Sequence, residues 1–364
     1  MRIPLRTGPF VLAGLLLLAG FPARAVEDQI TIYTPSFEGP PALASSVSTV
    51  LNLQIWQTLR RKPARNPGEL SFGKAVLIWG GALGEYSHKT AESRAEEISL
   101  LAQMVFWGKV YEFGEGAIAQ THLSIPEYKD FRTEHPERWV ARVRKAEGWI
   151  EFSADIPQRR YSFEPMALTR EVISRYSHPG ALLMYSGLDG GKVVGTVGDE
   201  FTALEQHANG AKVRSGNVTG WVRLPRLSAE RTGVVDFVGG IIRVFRGDWE
   251  GVESLMSRVI ADETAPNEIR TDAFLYKGMA AARQGKPSEP AFAEARKLSP
   301  NARRCVVYTV LGKLWDYSRL QGGNSGAKVE ILQDARRLLE ESSYLFEPDD
   351  PWFSDTMSKL GRLM

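Results

Sequence analysis

The chain has 364 residues, with 45 Lys and Arg against 43 Asp and Glu, a formal net charge of +2, five histidines and one cysteine. A charge balance this even argues against binding nucleic acid through bulk phosphate neutralisation. The lone Cys305 excludes an intramolecular disulfide and any structural metal site built from several thiolates.

Arg2 and Arg6 form a basic start, Phe10 to Phe21 is an apolar run, and Ala23-Arg24-Ala25 is a small-residue cleavage pattern. This order predicts a secretory signal peptide at 1–25, and the run falls short of the roughly 20 residues a spanning helix needs. An uncleaved N-terminal anchor is the alternative reading. No cysteine follows the run, so a lipid-modified N terminus is not expected. Cleavage after Ala25 removes Arg2, Arg6 and Arg24 and no acid, leaving 42 basic against 43 acidic residues, a net charge of −1. A periplasmic or otherwise extracytoplasmic location follows. No later apolar run approaches spanning length, and a chain this long is expected to divide into domains.

Residues 26–126 read as a small α/β domain. Ile30 and Ile32 alternate with polar neighbours as a strand ending near Pro40-Pro41. Leu43, Val47, Leu51, Ile55 and Leu59 then repeat every four residues, which predicts a helix. Ala75 to Trp79 is an apolar run of strand length stopped by Gly80-Gly81. Ala91, Ala95, Ile98, Ala102 and Val105 have helical spacing, and Val105 to Phe113 and Ala117 to Ile125 flank Gly114-Glu115-Gly116 as a hairpin. The predicted order is β-α-β-α-β-β. The stretch Leu101 to Val110, with its Trp107-Gly108-Lys109-Val110 strand and glycine turn, resembles the small α/β domain shared by TolB N-terminal, FlgO-type and CsgG-type envelope proteins. That resemblance implies an assembly or interaction domain without catalysis.

Residues 127–178 form a connecting segment with strands. A short helix is expected around Glu137 to Lys145, and Ile150, Phe152, Ala154 and Ile156 alternate as a half-buried strand. Arg159 to Phe163 is expected to pair with that strand across Pro157-Gln158, while Leu168 to Tyr176 fits either a short helix or a strand.

Residues 179–229 carry short strands and turns: Lys192 to Val197, Thr202 to Glu205, Asn209 to Arg214, a Gly216-Asn217 turn and Gly220-Trp221-Val222. This pattern resembles a bacterial SH3 domain, a small ligand-binding β-barrel of exported envelope proteins. Ala211 stands where that family often has tryptophan, and Ala181 to Tyr185 replaces its usual first strand. The resemblance implies a groove for a peptide or a cell-wall stem peptide, with Tyr185, Arg214 and Trp221 as the candidate ligand-binding residues. The alternative is that Trp221 belongs to the core and Arg214 is merely solvated.

Residues 230–364 change character. Gly240 and Gly278 each precede a second glycine by seven positions, at Gly247 and Gly285, and Leu311-Gly312 follows 34 residues after Gly278. A period in this range signals stacked helical hairpins. The middle unit resembles a tetratricopeptide repeat, with Gly278 at the close-packing position, Gly285 at the turn, and Phe292, Ala295, Leu298 and Pro300 on and after the second helix. A last helix is expected from Lys328 to Tyr344.

Recognisable chemistry is sparse. The histidines His88, His122, His135, His178 and His207 form no H-x-x-x-H or H-E-x-x-H pair, and neither a G-x-S-x-G elbow nor a P-loop lysine motif occurs. Glu92 and Glu96 have the spacing of a solvated helix face, and Cys305 reads as a buried structural thiol. No catalytic residue, metal or cofactor is expected. The fold class expected is a multidomain α+β protein: α/β domain, SH3-like β-barrel, then tetratricopeptide-like helices. The function expected is a non-enzymatic exported scaffold that docks to peptidoglycan or an envelope protein and not to nucleic acid. The alternatives are a cell-wall hydrolase or peptidase with its centre in 29–178, and an accessory factor of a secretion or motility assembly.

Overall fold

The computed structural model describes residues 30–58, 75–79, 81–97, 102–126, 139–145, 148–154, 159–198, 201–207, 209–228, 233–320 and 325–364. The signal peptide expected at 1–25 lies outside the described residues. The fold is mixed α/β, and no helix among the described residues is long and apolar enough to cross a membrane.

β1 (Ile30–Thr34), α1 (Pro41–Thr58), β2 (Ala75–Trp79), α2 (His88–Glu97), β3 (Met104–Phe113) and β4 (Gly116–Ile125) follow the expected order. β1 lies between β2 and β3, parallel to both, and β3 and β4 form the predicted hairpin. Crossing to β2 on one side and back to β3 on the other with right-handed connections puts α1 and α2 on opposite faces. The strands sort their side chains to match: Ile32, Met104 and Phe106 join α1 in the main core, whereas Tyr33, Val105 and Trp107 meet Ala91 and Ala95 of α2 in a second cluster. Alternation along a pleated strand requires that split. α1 is apolar on more than one side, with Leu43, Val47, Val50 and Leu53 all fully buried. It lies between the sheet and a C-terminal helix, where no solvent-facing stripe is needed.

The segment 127–178 corrects two expectations. Residues expected to be helical form β5 (Trp139–Lys145), paired antiparallel with β6 (Gly148–Ala154). Ala141 and Val143 alternate with Arg142 and Arg144, and a helix of the C-terminal region lies against the strand, so its burial has period two. β7 (Arg159–Ser162) does not pair with β6; it joins the first sheet beside β4, as does β8 (Met166–Ala167). A tertiary partner outcompetes the local hairpin that Pro157-Gln158 had favoured. The ambiguous stretch resolves as helix α3 (Arg170–Tyr176), begun by Thr169, whose hydroxyl accepts from the Val172 N–H.

β9 (Leu183–Tyr185), β10 (Val193–Thr196), β11 (Thr202–His207), β12 (Gly210–Ser215) and β13 (Val218–Arg223) form an antiparallel sheet in the order β10-β9-β13-β12-β11. The strands expected from the sequence are present, but the expected barrel is not: β10 and β11 are free edges among the described residues. The reason lies in the atypical first strand. β9 has three extended residues and meets β13 at a single register position, too little to carry the sheet round to closure.

Among the described residues seven α-helices follow: α4 (Val234–Phe245), α5 (Trp249–Ile260), α6 (Asn267–Arg283), α7 (Glu289–Leu298), α8 (Arg303–Arg319), α9 (Ser325–Glu341) and α10 (Pro351–Leu363), the last unforeseen in the sequence. α4/α5, α6/α7 and α8/α9 pack as successive hairpins. Gly247 and Gly285 end α4 and α6 with φ of +66° and +78°. After each, an N–H returns to the carbonyl five residues back, Asp248 to Arg243 at 3.0 Å and Lys286 to Ala281 at 2.9 Å, the same C-cap in both units. The Phe292 ring of α7 is wedged between α6 and α8. A Cβ placed on Gly278 or Gly312 would lie 2.5 or 2.4 Å from it.

The side of this stack formed by α4, α6 and α8 is covered by the chain's own strands. Phe237 meets the Tyr161 ring edge-on at 4.8 Å, and β5 lies along α8. Asp272, 1% exposed, accepts from the Tyr161 hydroxyl at 2.8 Å and from Arg304 Nε at 2.6 Å, with Arg159 Nε 3.8 Å away. Trp352 of α10 closes the end by donating to the Ser153 carbonyl at 2.8 Å.

Candidate ligand-binding face

The five-stranded sheet has one covered and one open face. Met184, Ala211, Val213 and Val222 point into the main core, while their neighbours Tyr185, Lys212, Trp221 and Arg223 are half-buried and outside it. Register aligns these outward residues in one row, except Arg223, which pairs with Gly210 one step along. Val193 pairs with Tyr185, Tyr185 with Trp221, Trp221 with Lys212, and Lys212 with Glu205, one row across all five strands. Val193 at the β10 edge is 54% exposed.

Cations are held against both rings. The Arg223 guanidinium lies 4.2 Å from the Tyr185 ring centroid, and its Nε donates to the Leu188 carbonyl at 3.1 Å. The Lys212 ammonium lies 5.8 Å from the Trp221 centroid and pairs with Glu205 at 2.8 Å. Such contacts contribute about 0.5–1 kcal/mol each at exposed sites. They place a cation against each of two rings on the same sheet face, a surface suited to an extended chain with apolar and anionic groups.

Of the three residues predicted from the sequence, Tyr185 and Trp221 are brought together as direct cross-strand partners. Arg214 shares their face, exposed and paired with Thr219, but one step along the strands from the row. Lys212, Arg223 and Val193 were missed. Their signal was available: each has the outward parity of Trp221 or Tyr185 once strand register is assigned.

A second cluster lies on the α2 face of the first sheet. His88 and His122, 34 positions apart in sequence, have ring centroids 5.4 Å apart. His122 stacks on Trp107 at 4.1 Å, and its Nδ1 is 2.9 Å from the Ser162 hydroxyl. His88 Nδ1 is 2.8 Å from Ser124 Oγ, which also accepts from Trp107 Nε1 at 3.0 Å. Burial pushes the pKa of both imidazoles down, that of His122 to about 4, so both rings are neutral at neutral pH. Glu92 is not part of a solvated face as expected: it is buried and makes two hydrogen bonds to Arg160, at 2.8 and 2.7 Å.

The geometry makes this cluster a poor nucleophilic centre. Ser124 is fully buried and engaged by Trp107. Ser162 is exposed, but an imidazole with a pKa near 4 is a weak base for it at neutral pH. No group of three or more metal-ligating side chains occurs among the described residues. Cys305 is buried, its thiol pushed up to about 11 by burial, and its Sγ faces the Ala295 carbonyl at 3.7 Å. Comparison with family models, curated proteins and solved structures gives no match.

Proposed function

We propose that this is an exported, non-enzymatic binding protein of the bacterial cell envelope, with an SH3-like sheet as its binding module and tetratricopeptide-like helices as its frame. The observation that carries the reading is the row Val193–Tyr185–Trp221–Lys212, apolar and cationic and left outside the core of a sheet whose other face is well packed. The partner is a peptide, either the stem peptide of peptidoglycan or a segment of an envelope protein. The helical stack is a less favourable docking surface, because the chain's own β5, β6 and β7 cover the side formed by α4, α6 and α8.

The test is co-sedimentation of the exported chain with purified peptidoglycan sacculi. Retention of the wild type and loss of retention in Trp221→Ala supports the reading. Equal retention of the two proteins sinks the row as the binding site, and retention of neither removes peptidoglycan as the partner in favour of an envelope protein. The hydrolase alternative rests on the Ser162–His122 contact. Release of soluble muropeptides by the wild type and not by Ser162→Ala would establish it instead.

A further inference from the structure

Beside the aromatic row lies a surface depression of about 460 Å³, walled by Arg175 of α3, Arg223 of β13, Asp189, Asn209, Leu188 and Pro225. Its floor is firm. The Asn209 carbonyl accepts from the Leu224 N–H at 3.0 Å, and the Pro225 carbonyl accepts from the Gln54 side chain at 3.0 Å, which ties this rim to α1.

Two guanidiniums of this wall are held in place without being neutralised. Arg223 is fixed by the Tyr185 ring on one side and the Leu188 carbonyl on the other, both through contacts that leave its terminal NH2 groups without a protein acceptor among the described residues. Arg175 rests 5.6 Å from the Tyr176 ring centroid and forms no ion pair with a described carboxylate. An arginine whose stem is already ordered loses less entropy on meeting an anion, and its planar fork matches a carboxylate. Asp189 shares the wall and would oppose a dianion more strongly than a monoanion.

We propose that this depression is a carboxylate subsite, in which Arg175 and Arg223 take a free carboxylate of a peptide whose apolar part lies on Tyr185 and Trp221. The inference rests on the peptide-binding reading and specifies its chemistry: the ligand is an acidic peptide with a free carboxylate beside an apolar segment. Because Arg223 lies against the Tyr185 ring of the row and also walls the depression, the two are parts of one surface.

The experiment is isothermal titration of the exported chain with L-Ala-γ-D-Glu-meso-diaminopimelic acid and with the same peptide carrying carboxamides. The free acid is expected to bind about tenfold more tightly, from a charge-assisted hydrogen bond discounted for partial exposure. Arg175→Gln is expected to erase that difference while leaving the carboxamide peptide unaffected; Arg175 forms no hydrogen bond or ion pair with another element among the described residues, so the variant is expected to keep the fold. Equal affinity for acid and amide, with both lost in Trp221→Ala, overturns the carboxylate subsite and leaves the face intact. Discrimination that survives Trp221→Ala but not Arg175→Gln keeps the subsite and overturns the face. Binding of neither peptide overturns the subsite, and so does displacement of the acid by inorganic phosphate at lower concentration than by acetate.

Discussion

The helical stack and the five-stranded sheet each present a broad surface, and the chain treats them oppositely. The side of the stack formed by α4, α6 and α8 is filled by β5, β6 and β7 and locked by the buried Asp272 with Tyr161, Arg304 and Arg159. The outer face of the sheet keeps Tyr185 and Trp221 outside the core, with cations against their rings. A surface that buries charge within the chain serves cohesion. One that leaves aromatic area half-covered is available to a partner.

The largest effect that would break this contrast is at the lock. Asp272→Asn leaves two guanidiniums near a neutral amide in a buried site and is expected to cost about 3–5 kcal/mol. Chemical denaturation would read it as a lowered midpoint; a shift under about 1 kcal/mol would mean that the cluster does not join the stack to the strands. A smaller effect is expected at Gly312→Ala, where the new methyl meets the Phe292 ring and costs about 1–3 kcal/mol. Combining it with Phe292→Leu should recover part of that loss, and a fully additive pair would place the strain elsewhere.

Acidification tests the first sheet. His122 has its ordinary pKa near 6.5 in the unfolded chain and about 4 in the fold. Between those values the unfolded state takes up a proton that the folded state does not, so stability falls as pH drops from about 6.5 to about 4 and the loss is complete below that. His122→Gln should flatten this part of a Tm-against-pH profile by a few degrees relative to wild type. An unchanged slope would mean that the ring is protonated in the fold.

The smallest stability effect sharpens the contrast most. Trp221→Ala is expected to change stability by less than about 1 kcal/mol, because the ring lies outside the core. The adjacent Val222→Ala, on the packed face, should cost more despite removing far fewer atoms. If Trp221→Ala proved the more damaging of the two, the ring would be structural and the open face would lose its main support.

Most elements of the fold could be read from local pattern. The β-α-β-α-β-β order, the strands of the second sheet and the glycine-marked helix ends all follow from periodicity and turn chemistry. The failures share a cause. Residues 139–145 form a strand and not the expected helix although their partner β6 is the next strand in sequence, because the burial that gives them a period of two comes from α8, far along the chain. β7 was assigned to its neighbour instead of to β4, 34 or more residues away at each paired position. The His88–His122 contact, the Glu92–Arg160 pair and the depression between α3 and the second sheet all join residues that no motif spacing links.

The sequence by itself therefore determined which side chains alternate, where the turns fall and that Trp221 sits in a strand of an antiparallel sheet. Tertiary structure alone decided that Tyr185 and Trp221 are partners, that the sheet stays open and that the stack is covered. Alternation and turn preference are local and cost only a few dihedral choices, so they are written in adjacent residues. Register, closure and the pairing of buried charges depend on which distant surfaces meet, and that is chosen by burial summed over the whole chain.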